Sequence, residues 1–466
     1  MTPTRSRAVV GGLLYGLLLA FPVGARALFP GTPETLFPPL WLSALWAIPL
    51  AIGVFLRNQH NRLAALVWVA WFMLGSLNVV ASDAVLPGYW ALDVVYPDLV
   101  YITFTLAFFG GLLITEAGRS GPTRHAGRAG LDPLFTAALL AFPFAYAWSM
   151  HRTVGHFPLL QGIDLTRQMY EVDYGPLYGY SILLVLAALV ALHRTLTAGS
   201  HTRRALYGFL VAMFLAISIL DGKRFNLMLF LAGLLAYQLA RRGAQPGQVR
   251  LFRSFALVGG LGILLYLGIL VLRQGFNLDA YAGLALQAAA LGVEHRDFVD
   301  SVVRYPPGSI PHYDWAGSAV AAALNSTLLA AFGIDKTEQV LRGSAYIWMN
   351  LRGGEFGIRT GIVSELYLAY GWLGLAPMLA VGLLAGFLTR GLRRARTERA
   401  LVFGCAVFAT LLLIPVGQTT ATTGVLSVVF YAFVVSALTL RLTGTLDWTI
   451  PHHLPAPAAR SGPLQC

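Results

Sequence analysis

The sequence predicts an all-α, polytopic integral membrane protein of about twelve transmembrane helices. Both termini are expected in the cytoplasm, with one long extracytoplasmic loop between the helices. Three observations carry this reading. Hydrophobic residues make up 57% of the 466, and only 12% are charged, about half the charged share of a soluble protein. Apolar runs recur along the chain, each near the 20 or so residues that a helix needs to cross a hydrocarbon core. The basic residues are also unevenly distributed between the loops that separate those runs.

The runs lie near 8–25, 38–56, 63–81, 95–116, 131–149, 176–192, 205–220, 225–240, 252–272, 360–389, 400–416 and 424–440. Arg5 and Arg7 precede the first, and Ala25-Arg26-Ala27 follows it. That pattern resembles a signal peptide, but the apolar part is longer than a usual signal core, so a retained helix is expected. The seventh and eighth runs are separated only by Asp221-Gly222-Lys223-Arg224 and read as two helices or as one re-entrant feature. Residues 1–440 form a single membrane domain in this reading. The proline-rich 441–466 is a cytoplasmic tail expected to be disordered.

Placing the N-terminus inside puts 21 of the 33 basic residues into seven cytoplasmic segments, which hold only four acids with their helix edges. The other 12 basic residues share the outside with 17 acids. This is the positive-inside pattern. The net charge of +12 therefore reports topology and not a nucleic-acid partner. Cys405 lies in an apolar run and Cys466 ends the chain, so no disulfide framework is available. No zinc-ligand spacing, phosphate-binding loop or dinucleotide fingerprint occurs, and no metal or other cofactor is expected.

Chemistry is therefore sought on the outer side, above all in 273–359, because a long segment between helices is usually functional. Within it, Ile310-Pro311-His312-Tyr313-Asp314-Trp315 combines a histidine, an acid and aromatics. Such a turn offers a base for a hydroxyl proton and ring faces for a sugar. Lys223 and Arg224 are cations on the outside, against the general bias. They suit a lipid-linked pyrophosphate, or they anchor two helix ends by snorkelling. Arg167, in the 150–175 loop, and Arg273 are candidates to complete an anion clamp. Glu365 falls inside the tenth run, where a carboxylate is costly and needs a partner or a polar cavity. Arg352, Arg359 and Tyr367 are its neighbours in sequence. Glu365 is either a general base or half of a structural ion pair. Asp98 and Glu116 read as boundary residues. Gly382 and Gly386 read as a close helix contact.

The arrangement of these motifs resembles a known family. Phe157-Pro158-Leu159-Leu160 followed by Arg167 is similar to an outward loop of the bacterial oligosaccharide repeat-unit polymerases, the Wzy-type O-antigen polymerases. Asp221-Gly222-Lys223-Arg224 resembles their short basic turn. Tyr313-Asp314-Trp315-Ala316-Gly317-Ser318 with Lys336 resembles part of their long loop. Thr360 to Gly374, with Ser364-Glu365-Leu366-Tyr367 and Gly371-Trp372-Leu373-Gly374, resembles the helix that follows and is the most specific of these motifs. The likeness extends over roughly 95–440 as scattered short motifs. Ala369 stands where a polar residue is common, and Ile334-Asp335-Lys336 lacks the family's prolines.

The resemblance implies a bundle like that of the O-antigen ligases, broadly of the GT-C type. It implies a glycosyltransferase in the bacterial inner membrane that moves a growing glycan from undecaprenyl pyrophosphate to the sugar hydroxyl of another lipid-linked unit. Glu365, His312 and Asp314 become the candidate catalytic groups. Arg167, Lys223, Arg224, Arg273, Arg352, Arg359 and Tyr367 become the candidate substrate ligands. Membrane lipid, a chain-length regulator and a flippase are the partners it implies. The rival expectation is a transporter or lipid-linked glycan flippase. Against it, the sequence shows no convincing internal repeat, and its charges gather at the outer edge.

Overall fold

The computed structural model describes residues 47–80, 95–117, 130–155, 177–221, 224–241, 301–324, 326–341, 361–395, 397–414 and 419–443, with the single residues 157, 260, 268 and 298. The expected runs 8–25 and 252–272 and the tail after 443 lie outside the described residues. Among the described residues there are fourteen α-helices and no strand. In chain order these are α1 (Ala47–Phe55), α2 (Gln59–Val80), α3 (Val95–Ala117), α4 (Pro133–Val154), α5 (Ile182–Thr197), α6 (His201–Leu220) and α7 (Arg224–Arg241). Three short helices follow within the long segment: α8 (Trp315–Ala323), α9 (Ser326–Ala331) and α10 (Lys336–Leu341). The chain closes with α11 (Ile362–Tyr370), α12 (Leu375–Arg394), α13 (Glu398–Leu412) and α14 (Thr419–Leu442).

Among the described residues, five stretches are long and apolar enough to cross a membrane: Tyr96–Glu116, Pro133–Val154, His201–Leu220, Ile362–Arg394 and Thr422–Leu442. This is the make-up of a polytopic membrane protein. The helix α5 is shorter but apolar on every side, and a helix of that kind belongs in a core. Ile182 and every residue from Leu184 to Ala191 are buried, with α4, α6, α7, α13 and α14 packed around it. The seventh and eighth runs are two helices, α6 and α7, meeting at Asp221.

Local sequence explains where the helices begin. Asp132 accepts the N–H groups of Leu134 and Phe135, with Pro133 at the first helical position, where a missing donor costs nothing. Those bonds, with that of Phe135 first, hold the Asp132 carboxyl below its usual range. Ser200 and Thr397 cap α6 and α13 in the same way, satisfying donors that a helix start leaves free.

The basic segments meet at one end of the bundle. Glu398 binds Arg194 through two bonds, at 2.6 and 2.9 Å, and also accepts from the Leu131 N–H. Asp132 takes the Thr443 hydroxyl. Glu116 accepts the Arg57 and Asn58 N–H groups and the Asn61 amide, so this boundary residue pins the turn that leads into α2, while Asn58 caps the helix by accepting the His60 N–H. On the same side, Asn58 donates to Thr389, which donates to Asn61.

The helices α3 and α12 touch through their backbones, as Gly382 and Gly386 suggest. A Cβ on Gly382 would stand 2.1 Å from the Phe108 carbonyl oxygen, and one on Gly386 would stand 2.0 Å from the Thr115 hydroxyl.

The run at 360–389 is not the single rod that its hydropathy predicts. It breaks at Gly371, whose φ of 59° and ψ of −138° belong to a region that L side chains avoid. A 3-10 turn, Gly371–Gly374, then leads into α12. A Cβ on Gly374 would lie 2.7 Å from the Leu366 carbonyl oxygen, so the chain doubles back here. The 20 residues of α12 span about 30 Å, the full hydrocarbon thickness. The nine-residue α11 is therefore a separate element, buried from Ile362 to Ala369.

Candidate functional site

A helix end leaves its last carbonyls without intrahelical partners, and a buried end must find donors elsewhere. The break at Gly371 creates that situation at the C-terminus of α11. The Gly371 N–H serves the Tyr367 carbonyl. His312, from the long segment, serves the next two: its backbone N–H donates to Leu368 at 3.1 Å, and its Nδ1 lies 3.1 Å from the Ala369 oxygen. A carbonyl can only accept, so Nδ1 carries the hydrogen. In the neutral ring, Nε2 is then the basic nitrogen. His312 is exposed, and among the described residues it is the one non-glycine with positive φ, at 51°. Strain of that sort concentrates at functional sites.

Beside it, the Tyr313 hydroxyl donates to the Glu365 backbone oxygen at 2.8 Å. Burial first, and then the Glu365 charge, push the Tyr313 phenol well above its usual range, so it stays a donor. Trp315 donates from its indole Nε1 to the Glu365 carboxylate at 3.3 Å. Glu365 is 0% exposed and lies in the first turn of α11, where the helix dipole favours a negative charge. Consecutive residues of one loop thus clasp α11, with His312 at its end and Tyr313 and Trp315 along its flank.

Aromatic rings surround the clasp. Trp315 meets Tyr370 edge-on with centroids 6.3 Å apart. The Tyr367 and Tyr96 hydroxyls are 3.1 Å apart, and Trp372 stands edge-on to both rings. Tyr367 itself is fully buried, so its hydroxyl belongs to this packing. Asp314 serves as the cap of α8. It accepts from the Gly317 N–H at 2.8 Å and from the Gln339 amide at 2.7 Å, which leaves its carboxylate occupied by structure.

Glu365, His312, Asp314 and Tyr367 thus come together around α11. Arg167, Lys223, Arg273, Arg352 and Arg359 lie outside the described residues. Arg224 begins α7, and its side chain is also outside them. Beside that turn, Asp221 accepts from the Asn226 amide at 2.8 Å, and the Ser181 hydroxyl donates to Asn226 at 3.2 Å.

Tyr96 carries no signal in the sequence, and Tyr370 and Trp372 stand out there only as members of the Thr360–Gly374 motif. The pairing of Trp315 with Glu365 spans 50 positions, a separation that no local pattern encodes. No protein-family model, curated protein or solved structure matches this chain.

Proposed function

We propose that the chain is a membrane glycosyltransferase. In this reading it polymerises undecaprenyl-pyrophosphate-linked repeat units into a surface polysaccharide on the outer face of the bacterial inner membrane. The observation that carries it is the clasp at α11. An exposed imidazole, fixed by Nδ1 on a carbonyl, stands on the same short helix as a buried carboxylate, among aromatic rings.

The chemistry follows from that arrangement. His312 Nε2 accepts the proton of the acceptor sugar's hydroxyl as the oxygen attacks the anomeric carbon of the donor glycan. The bond to the carrier breaks, and the pyrophosphate leaves with the electron pair. The Glu365 carboxylate holds Trp315, a half-buried ring of the kind that stacks on a sugar. The departing pyrophosphate calls for cations, and preorganised donors of this kind are usually the largest catalytic contribution. Lys223, Arg224, Arg167 and Arg273 are the candidates for that role, with Arg352 and Arg359 nearer to Glu365 in sequence. A flippase that delivers lipid-linked units and a chain-length regulator are the partners this reaction needs.

One observation favours a second reading, a transporter. A helix broken beside a buried carboxylate is also how transporters build a substrate site. Deleting the gene and resolving the surface polysaccharide by length separates the two. Loss of the long ladder with single repeat units still exported supports the polymerase. An unchanged ladder rejects it.

A further inference from the structure

We infer that α8–α10 form a lipid-dipping element, in which Val320, Leu328, Phe332 and Ile334 insert into the outer edge of the bilayer. Four observations lead there, and none depends on glycosyl transfer.

The first is position. The helix α8 packs along α14, and the Ala322 carbonyl oxygen is 3.9 Å from where a Cβ on Gly424 would stand. Gly424 is the third residue of the apolar stretch Thr422–Leu442. The end of α8 therefore lies level with the first turn of a helix fit to cross the membrane.

The second is how that end is capped. Lys336 Nζ donates to the Leu324 carbonyl at 2.7 Å and to Ala322 at 3.4 Å. The Tyr431 hydroxyl reaches Ala323 at 3.5 Å. Three successive carbonyls at the end of a short helix are thus served by side chains from elsewhere. In water the solvent would serve them, whereas next to lipid each uncapped carbonyl is costly. The Lys336 stem runs back along the protein while its ammonium meets the negative end of α8.

The third is the surface itself. Phe332 is 74% exposed and Val320 57%, and Leu328 and Ile334 are exposed beside them. The turn that presents them satisfies its own backbone, with Phe332 and Ile334 donating to Leu329 and Gly333 to Ala330. Gly333 supplies the positive φ of 70° that closes it.

The fourth is continuity. The exposed side chains of α14, including Phe430, Val435 and Leu438, form an apolar flank that a lipid-facing helix should have. The helix α8, which carries Val320, packs against this same α14. Asp335 and Glu338, exposed on the same element, set the depth at the interface between headgroups and acyl chains. An amphipathic element settles there, with its apolar side inserted about 5–10 Å.

The test uses the full chain in phosphatidylcholine proteoliposomes, with Cys466→Ser removing the terminal thiol. Cys405 is fully buried and is left in place. Phe332→Cys is labelled with bimane, and Ser309→Cys, in the exposed Pro306–Ser309 turn, is labelled as the control. A doxyl label near the top of the acyl chain should quench the Phe332 site strongly while iodide does not. The Ser309 site should show the reverse. Iodide quenching at Phe332 without lipid quenching would overturn the inference in favour of a cap standing in water. Protection from both quenchers would overturn it in favour of a surface covered by protein, such as a second copy.

Discussion

The two ends of this bundle use their carboxylates differently. At the basic end, Glu398 takes a two-bond Arg194 fork and a backbone N–H. Glu116 and Asp132 spend their oxygens on helix starts and on Asn61 and Thr443. Each acid there joins two or more elements. At the other end, Glu365 sits on a short broken helix among aromatic rings, held by an indole, next to a strained histidine. The contrast separates architecture from chemistry. Carboxylates that cap and cross-link explain themselves, whereas one buried at the start of a short helix whose end holds an imidazole calls for a function.

Variants can sharpen or break that contrast. After His312, the largest expected effect is at Glu365. Glu365→Gln keeps size and a hydrogen-bond acceptor but removes the charge that meets the Trp315 indole. Elongation of lipid-linked units should fall on the order of tenfold, about 1.4 kcal/mol in the barrier, with protein level unchanged. Equal loss of protein and activity would make Glu365 architectural as well.

The α3–α12 contact comes next. Gly382→Leu forces a side chain into the Phe108 backbone. Overpacking of this kind costs about 1–3 kcal/mol, visible as a lower melting temperature in detergent. An unchanged melting temperature would mean that the two helices do not touch there.

At the break itself, Gly371→Ala places a Cβ at positive φ and against Ile310. Backbone strain in such regions costs about 1–3 kcal/mol. The same substitution should also loosen His312, because both residues serve the end of α11. Thermal unfolding should register the first effect, and elongation per folded molecule the second.

The smallest effect belongs to Asp132. Its carboxyl titrates lower when folded than when unfolded, so its contribution is complete at neutral pH. That contribution fades as pH falls below about 4, the ordinary aspartate range, through the lower folded value. Asp132→Asn should therefore melt slightly below the parent at pH 7, and the gap should close in acid. A gap independent of pH would show that the charge of Asp132 is irrelevant to its cap.

Much of the bundle was legible because apolar runs must be about as long as a bilayer is thick. The starts of α4, α6 and α13 carry their own caps in Asp132, Ser200 and Thr397. The break at Gly371 was not legible. An apolar run containing glycines reads alike whether it continues or doubles back, and what ends α11 is a set of donors from His312, far away in sequence. The same holds for the site. Glu365 stood out because a carboxylate in an apolar run demands a partner. Trp315 as that partner, and the use of Asp314 as a helix cap, are tertiary facts. Sequence placed His312 in the right loop, but only the Ala369 carbonyl shows which ring nitrogen keeps its lone pair.

The most direct measurement compares one residue from each end in purified protein supplied with lipid-linked repeat units. Asparagine tolerates positive φ and can still donate to Ala369, so His312→Asn removes the proposed base while sparing the backbone. Elongation per folded molecule should drop about 10²- to 10⁴-fold, the usual weight of a general base, with little change in melting temperature. Glu398→Gln should do the opposite, lowering the melting temperature while each folded molecule still elongates at close to the parent rate. Full elongation by His312→Asn, or an equal catalytic loss in Glu398→Gln, would contradict the division of this molecule into a structural end and a chemical one.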